Sequence, residues 1–275
     1  MHHSILLKLF LCVFCFLSIE AEEIPNRWII KEGAIQQLTL QQEQQLFETL
    51  GDKHSSLTKE TMESTQDTCI DTVIFDFGGV VVGVGNNPLK QAQFIADTLH
   101  ISMDSVLANF AKDIVPLGKG EIEEGEFWEK FAQQYGGSVP FDWMNQWRDF
   151  YRSCNPLDEK TVSIIQQLHK RGICTPLISD TIPSHAQFNR EHGYYDLFDP
   201  VILSHEVHIR KPDPSIFHLL LDRIQKTPSR CLFVDDLMQN VEAARKVGMH
   251  SIQFKSAEQL EQELMPFLQC VIEII

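Results

Sequence analysis

The run Val73-Ile74-Phe75-Asp76-Phe77-Gly78-Gly79-Val80-Val81-Val82 decides the fold. Val73 to Phe77 is β-branched or aromatic except for one acid near its end, and it reads as a short strand. Gly78 and Gly79 supply turn freedom directly after it. Upstream the character differs. Arg27 to Thr68 is rich in Gln, Glu, Thr and Ser. Leu38 to Leu50 fits a short amphipathic helix stopped by Gly51, and Ser55 to Asp67, almost without apolar residues, reads as a linker.

Downstream, the spacing predicts helices over Gln91 to Phe110, Glu121 to Tyr135 and Phe141 to Tyr151, with turn signals at Gly118-Lys119-Gly120 and Gly136-Gly137. Consecutive helices without a strand between them make a small helical module. After Pro156 strands and helices alternate. Asp158 is placed to cap a helix over Glu159 to Arg171 that Gly172 ends. Strands are predicted at Ile173 to Ser179, Val201 to Ser204, Cys231 to Val234 and His250 to Phe254. The helices between and after them are Ser184 to Glu191, Pro214 to Ile224, Asn240 to Val247 and Glu258 to Phe267. Such alternation implies a parallel sheet covered on both faces, to which the strand at Val73 belongs.

The chain has 275 residues, 43% hydrophobic and 22% charged, with a formal net charge of -15. An acidic surface repels phosphate backbones and excludes a nucleic-acid reader. Any phosphate site must then be compensated locally, by a cation or by backbone N–H groups. Ile5 to Ile19 is apolar except for Lys8 and Ser18, and Ala21 offers a small residue for cleavage. This suits an export signal over residues 1–21, with a secreted or periplasmic chain that keeps no stable membrane association after cleavage. The alternative is an uncleaved anchor or an apolar helix on the domain of a cytoplasmic protein. Of seven cysteines, Cys12 and Cys15 lie in that segment; Cys69, Cys154, Cys174, Cys231 and Cys270 are widely spaced and indicate neither a zinc site nor a disulfide framework. Cys174 and Cys231 read as small core residues.

In an open α/β sheet, sites form at the carboxyl ends of the strands. Four segments put polar residues there: Asp76 with Gly78-Gly79, Ser179-Asp180-Thr181, Arg210-Lys211-Pro212-Asp213, and Asp235-Asp236. Together they suit one chemistry. The Asp76 carboxylate can attack phosphorus to form an acyl phosphate. Magnesium held by Asp76 and Asp236 would screen nucleophile and phosphate from each other. Ser179 and Lys211 would hold the phosphoryl group. Taken singly, each residue also fits a plain role: Asp76 as a turn residue, Ser179 as a helix cap, Lys211-Pro212-Asp213-Pro214 as a turn and helix start, Asp235-Asp236 as a cap pair.

The set resembles the haloacid dehalogenase-like superfamily over about Ile70 to Phe254. Phe75-Asp76-Phe77-Gly78-Gly79-Val80 partly matches its first motif, Ile178-Ser179 its second, and Arg210-Lys211-Pro212-Asp213 its third. Val234-Asp235-Asp236 with Glu242-Ala243-Ala244-Arg245 and Gly248-Met249 matches its fourth. The third and fourth stretches are similar to the phosphatase domain of epoxide hydrolases and to glucose-1-phosphatase-like enzymes. The resemblance implies a Rossmann-like doubly wound parallel sheet, formed by residues 69–87 and 155–275, with a helical cap inserted at 88–154. Residues 22–68 would be a polar extension. It places magnesium on Asp76, the Gly78 carbonyl and Asp236, with Asn240 nearby. Asp76, Ser179 and Lys211 are then catalytic, and Gly79, Ser179, Asp180 and Lys211 meet the substrate. Lys119-Gly120-Glu121-Ile122 resembles a turn common in such caps. Phe127, Trp128, Trp143 and Trp147, at helical spacing, are expected in the cap's own core.

One departure stands out. Gly78 occupies the place where the family has an Asp that protonates the leaving oxygen, assistance worth about 10²–10⁴-fold. Two expectations follow: a phosphatase favouring leaving groups that need little protonation, such as anomeric sugar, aryl or acyl phosphates, or a degenerate binding protein. A metal-independent dehalogenase is the third option, against which the acidic pair Asp235-Asp236 argues. The resulting expectation is a magnesium-dependent hydrolase of a small phosphorylated metabolite.

Overall fold

The computed structural model describes residues 28–31, 34–37, 70–85 and 88–268. The export segment, the helix expected over 38–50, the linker at 55–67 and Cys69 and Cys270 lie outside the described residues. The chain divides into two units, Met1–Glu63 and Ser64–Ile275. In the first, β1 (Trp28–Lys31) pairs antiparallel with β2 (Ala34–Gln37), a ladder inside a stretch read from sequence only as polar extension.

The second unit is built on a five-stranded sheet, all its pairings parallel, in the order β5-β4-β3-β6-β7. The strands are β3 (Thr72–Phe75), β4 (Leu177–Ser179), β5 (Val201–Leu203), β6 (Cys231–Asp235) and β7 (His250–Gln253). Five helices separate β3 from β4's own crossover helix: α1 (Pro88–Leu99), α2 (Met103–Asp113), α3 (Val115–Gly118), α4 (Glu124–Gln134) and α5 (Trp143–Cys154). The crossover helix α6 (Glu159–Lys170) follows. Then come α7 (Pro183–Glu191) after β4, α8 (Ser204–Val207) and α9 (Pro214–Ile224) after β5, α10 (Met238–Lys246) after β6 and α11 (Ala257–Leu268) after β7.

Alternation along the strands divides the core. Val73 and Phe75 pack with Ile165 and Leu168 of α6 and Leu260 and Leu264 of α11. Ile74, Ile178 and Phe233 face the other way, onto Ile216, Phe217 and Leu220 of α9 and Ala244 of α10. Each fully buried Ile or Phe contributes about 1.5–3 kcal/mol. The inserted helices have a core of their own, in which Phe127, Trp128, Trp143 and Trp147 are all buried, as their spacing predicts. Trp128 meets both Trp143 and Trp147 edge-on, at centroid separations of 4.7 and 5.0 Å.

Several boundaries differ from the sequence reading, each for a local reason. The helix expected over Gln91 to Phe110 is two helices, broken where His100 takes φ 57° and Ser102 caps α2 by accepting from Ser105 N. The helix expected from Glu121 begins at Glu124, because Gly120 turns at φ 64° against α8, where a Cβ would lie 2.1 Å from the His205 carbonyl oxygen. The strand expected over Ile173 to Ser179 shortens to Leu177–Ser179, since Pro176 has no N–H to donate. Cys174 is exposed rather than in the core: it sits at the sheet's amino edge between buried Ile173 and Thr175 and points the other way. Cys231 is buried as expected. Asp158 and Asp213 cap α6 and α9 by accepting from Thr161 N and Ser215 N, at 2.7 and 2.9 Å.

Candidate active site

The first strand of the sheet is its central one, with β4 on one side and β6 on the other. From β3 the chain passes to β4 on one side and from β6 to β7 on the other, so the connections diverge at the carboxyl ends of these two neighbouring strands, where a crevice is expected. Asp76 stands at that point. Its N–H extends the ladder to the Val234 carbonyl at 2.8 Å, so its backbone is fixed by the sheet. Beyond it the chain curls: the Phe77 carbonyl accepts from Val81 N and Val82 N, at 2.8 and 3.1 Å.

Lys211 is the hub. It lies 4% exposed between β4 and β6. Its ammonium donates to Asp76 Oδ1 at 2.6 Å, Asp235 Oδ2 at 2.7 Å and the Ile178 carbonyl at 3.1 Å. The Phe233 ring centroid is 5.5 Å from Nζ. Three N–H donors meet three acceptors, so the buried charge is fully hydrogen-bonded. Desolvation works against this ammonium, but Asp76 and Asp235 outweigh it and hold its pKa above the ordinary lysine value.

Asp235, read from the sequence only as one of an acidic pair and given no catalytic assignment, is wholly buried. Besides Lys211 it accepts from Leu237 N at 2.8 Å and from Asn240 Nδ2, at 3.0 Å to each oxygen. Asn240 therefore steadies Asp235. Asp236 is half-buried beside it, and Asp76, Asp235 and Asp236 each present an oxygen within 4.8 Å of the others. Burial pushes the Asp76 carboxyl up, with Asp235 adding to the rise and Lys211 opposing it. Burial, and then Asp235, likewise raises Asp236. Three carboxylates facing one ammonium leave negative charge uncompensated, and the free donors are all oxygen. That set fits a hard divalent cation such as magnesium.

The two glycines differ. A Cβ at Gly79, where φ is +79°, would lie 2.6 Å from Asp236 Oδ2, so only glycine lets the loop lie against that carboxylate. A Cβ at Gly78 would meet nothing within 4 Å, and Gly78 is exposed. Ser179 ends β4, 3% exposed, beside the central strand. Its neighbour Asp180 is engaged by the Lys211 loop: Oδ1 accepts from Lys211 N at 3.0 Å and Oδ2 from Arg210 Nε at 3.3 Å. Asp180 thus pins the Lys211 loop to the β4 loop.

Sequence reasoning missed one further residue. Glu124 of α4, 7% exposed, accepts from Ser184 N at 2.8 Å and Ser184 Oγ at 2.6 Å, and Trp128 Nε1 lies 3.4 Å away. The N-cap of α7 is Ile182, which has no side-chain acceptor, so the inserted module caps this helix from 60 positions away. Ser204 Oγ donates to the Gly118 carbonyl at 2.6 Å, and His208 Nδ1 lies 2.7 Å from the Lys119 carbonyl. The helical module is thereby fastened to the loops after β4 and β5. Nothing local distinguishes Glu124 from the solvated acids around it.

Comparison with known proteins agrees with this geometry. A family model described as haloacid dehalogenase-like hydrolase matches residues 70–248. A sesquiterpene phosphatase of Aspergillus oryzae is 26% identical over 74% of this chain and 99% of its own length. A D-ribitol-5-phosphate phosphatase of Bacteroides thetaiotaomicron is 27% identical, over 72% of this chain and 98% of its own. Among solved structures, a HAD family enzyme from Bacteroides thetaiotaomicron in a magnesium complex superposes with a TM-score of 0.61, at 19% identity, over 71% of this chain and 98% of that one. A HAD-like hydrolase from Porphyromonas gingivalis gives 0.63, also at 19% identity, over 73% and 98%. At that identity the structural likeness establishes the fold alone.

Proposed function

We propose that this chain, which belongs to the haloacid dehalogenase-like hydrolase family, is a magnesium-dependent phosphatase that hydrolyses small phosphomonoesters through an aspartyl phosphate on Asp76. The observation that carries this reading is the Lys211 ammonium set between Asp76 and Asp235, with Asp236 alongside. It holds a carboxylate ready at the switch point of the sheet, surrounded by groups that tolerate an anion only in partnership with cations. The names of the relatives from Aspergillus oryzae and Bacteroides thetaiotaomicron support phosphate-ester chemistry.

In this reading the Asp76 oxygen not taken by Lys211 attacks phosphorus. Lys211 stabilises the charge gathered on the phosphoryl oxygens, and Ser179 hydrogen-bonds one of them. Backbone groups of the Gly78-Gly79 loop approach the same oxygens, which the missing side chains permit. Asp180 acts by positioning Lys211. Asp76, the Gly78 carbonyl and Asp236 would hold magnesium, which supplies electrostatic screening between nucleophile and phosphate. Asp235, with its oxygens already engaged, keeps Lys211 in place.

The test is a screen of sugar, nucleotide and aryl phosphates with and without magnesium, with Asp76→Asn as control. Hydrolysis that needs magnesium and disappears in Asp76→Asn is expected. No turnover of any phosphate, with halide release from a 2-haloacid that survives EDTA, would favour a carboxylate-only dehalogenase. Binding without turnover would favour a degenerate receptor.

A further inference from the structure

The turn Gly118-Lys119-Gly120 and the strand-end residue Thr181 have no part in the chemistry above. One side chain joins them. Ser204 follows β5 just past the pair Ser179↔Leu203, next to the start of the Asp180-Thr181 loop. It is fully buried. Its Oγ accepts from Thr181 N at 3.0 Å. The hydroxyl has one hydrogen to give. The Gly118 carbonyl at 2.6 Å takes it in preference to the Thr181 carbonyl at 3.3 Å. The turn is held from a second side as well. A Cβ at Gly120 would strike the His205 carbonyl, and His208 Nδ1 lies 2.7 Å from the Lys119 carbonyl.

The loop that Ser204 grips leads directly to the crevice. Ser179 precedes it at the end of β4. Asp180 within it accepts from Lys211 N at 3.0 Å. The Lys211 ammonium in turn reaches the Ile178 carbonyl at 3.1 Å and Asp76 at 2.6 Å. A shift of this loop therefore moves Ser179 and Lys211 together.

We infer that Ser204 is a positioning residue: it locks the Ser179-Asp180-Thr181 loop to the inserted helical module and so fixes, through Asp180, the reach of Lys211 towards Asp76. Its effect on turnover rests on the phosphatase reading above; its effect on the Lys211 loop does not. Without the hydroxyl, Thr181 N and the Gly118 carbonyl lose their partner where no water replaces it. The module itself stays fastened, by Glu124 to Ser184 and by the stacking of His185 on Tyr151 and Trp147. The loss then falls on the loop rather than on the fold.

The experiment compares the full-length wild type with Ser204→Ala and Ser204→Cys, each checked for folding by circular dichroism. Cys keeps the volume of Ser but is a weak donor and acceptor. Two quantities are measured: kcat for p-nitrophenyl phosphate with magnesium, and amide hydrogen exchange by NMR. In both variants kcat should fall about ten- to a hundredfold, as for a reacting group misplaced by about 1 Å. Exchange at Thr181 and at Lys211 should quicken at least about tenfold more than at Phe233 in β6. A general loss of stability would quicken all three alike. Wild-type kcat in either folded variant overturns the inference and leaves the phosphatase reading standing. Quickened exchange at Thr181 with Lys211 unchanged also overturns it, because the bond would then be local only. If the wild type hydrolyses no phosphate, the phosphatase reading fails and exchange at Lys211 alone decides the positioning role. If Ser204→Ala does not fold, Ser204→Cys carries the test.

Discussion

Asp235 shows how one buried side chain can matter more than its sequence position suggests. It has no solvent contact and four hydrogen bonds. Its carboxylate is half of what keeps a buried ammonium charged. Asp235→Asn preserves volume but turns an acceptor into a group that cannot accept on both sides, and it leaves Lys211 with one carboxylate. We predict a loss of about 3 kcal/mol in urea denaturation, because breaking a buried pair strands its partner. Magnesium-dependent turnover should fall more than about tenfold, since the freed lysine no longer holds one position. An unchanged urea midpoint would show that Asn240 and Lys211 rearrange at no cost. Gly79 makes the complementary point: its value lies in the atom it lacks beside Asp236, whereas a Cβ added at Gly78 would meet nothing within 4 Å.

At the scale of elements, the seam between α5 and α7 carries a pH response. His185 of α7 stacks on Tyr151 of α5, at a centroid distance of 3.8 Å, and on Trp147 at 5.2 Å. Its Nε2 is buried with no hydrogen-bond partner among the described residues. Burial therefore pushes the imidazole pKa down to about 3. The unfolded chain binds this proton at about 6.5. Between those values the unfolded state holds more protons, so the stabilising contribution is complete above about pH 6.5 and is lost as pH falls towards 3, with a limiting slope of about 1.4 kcal/mol per unit. Replacing His185 by Phe keeps the stacking and removes the titration. Chemical denaturation at pH 7.5 and 5.5 should show the wild type losing about 1 kcal/mol more than His185→Phe over that interval. Equal losses would mean that the imidazole finds a proton acceptor at the seam.

For the whole molecule the governing quantity is a net charge of -15 set against a substrate that is itself anionic. The long-range field opposes approach, and in the proposed reading a bound cation would have to reverse it in a crevice where three carboxylates face the one Lys211 ammonium. Raising ionic strength screens the first effect more than the second, because Lys211 is buried and the surface acids are not. We expect kcat/KM for a phenyl phosphate to rise about twofold from low salt to about 0.15 M KCl at constant magnesium, with kcat little changed. A fall would indicate that partly exposed cations, Lys119 or Arg210 among them, steer the substrate.

The alternation of strands and helices, the inserted helical module, its aromatic core and the four strand-end segments were all legible in the sequence, because each is written in local periodicity or in a short motif. Asp76 at the head of the crevice follows from the first strand being the sheet's central one, an arrangement the parallel order made reachable. Tertiary structure alone decided which acid holds Lys211, that Asp180 faces Arg210 and the Lys211 backbone, that Glu124 caps a helix 60 positions away, and that Cys174 looks outward. The physical reason is common to the three acids. A carboxylate's role depends on which donors burial leaves without water, and those donors are brought together by packing between segments that share no local pattern.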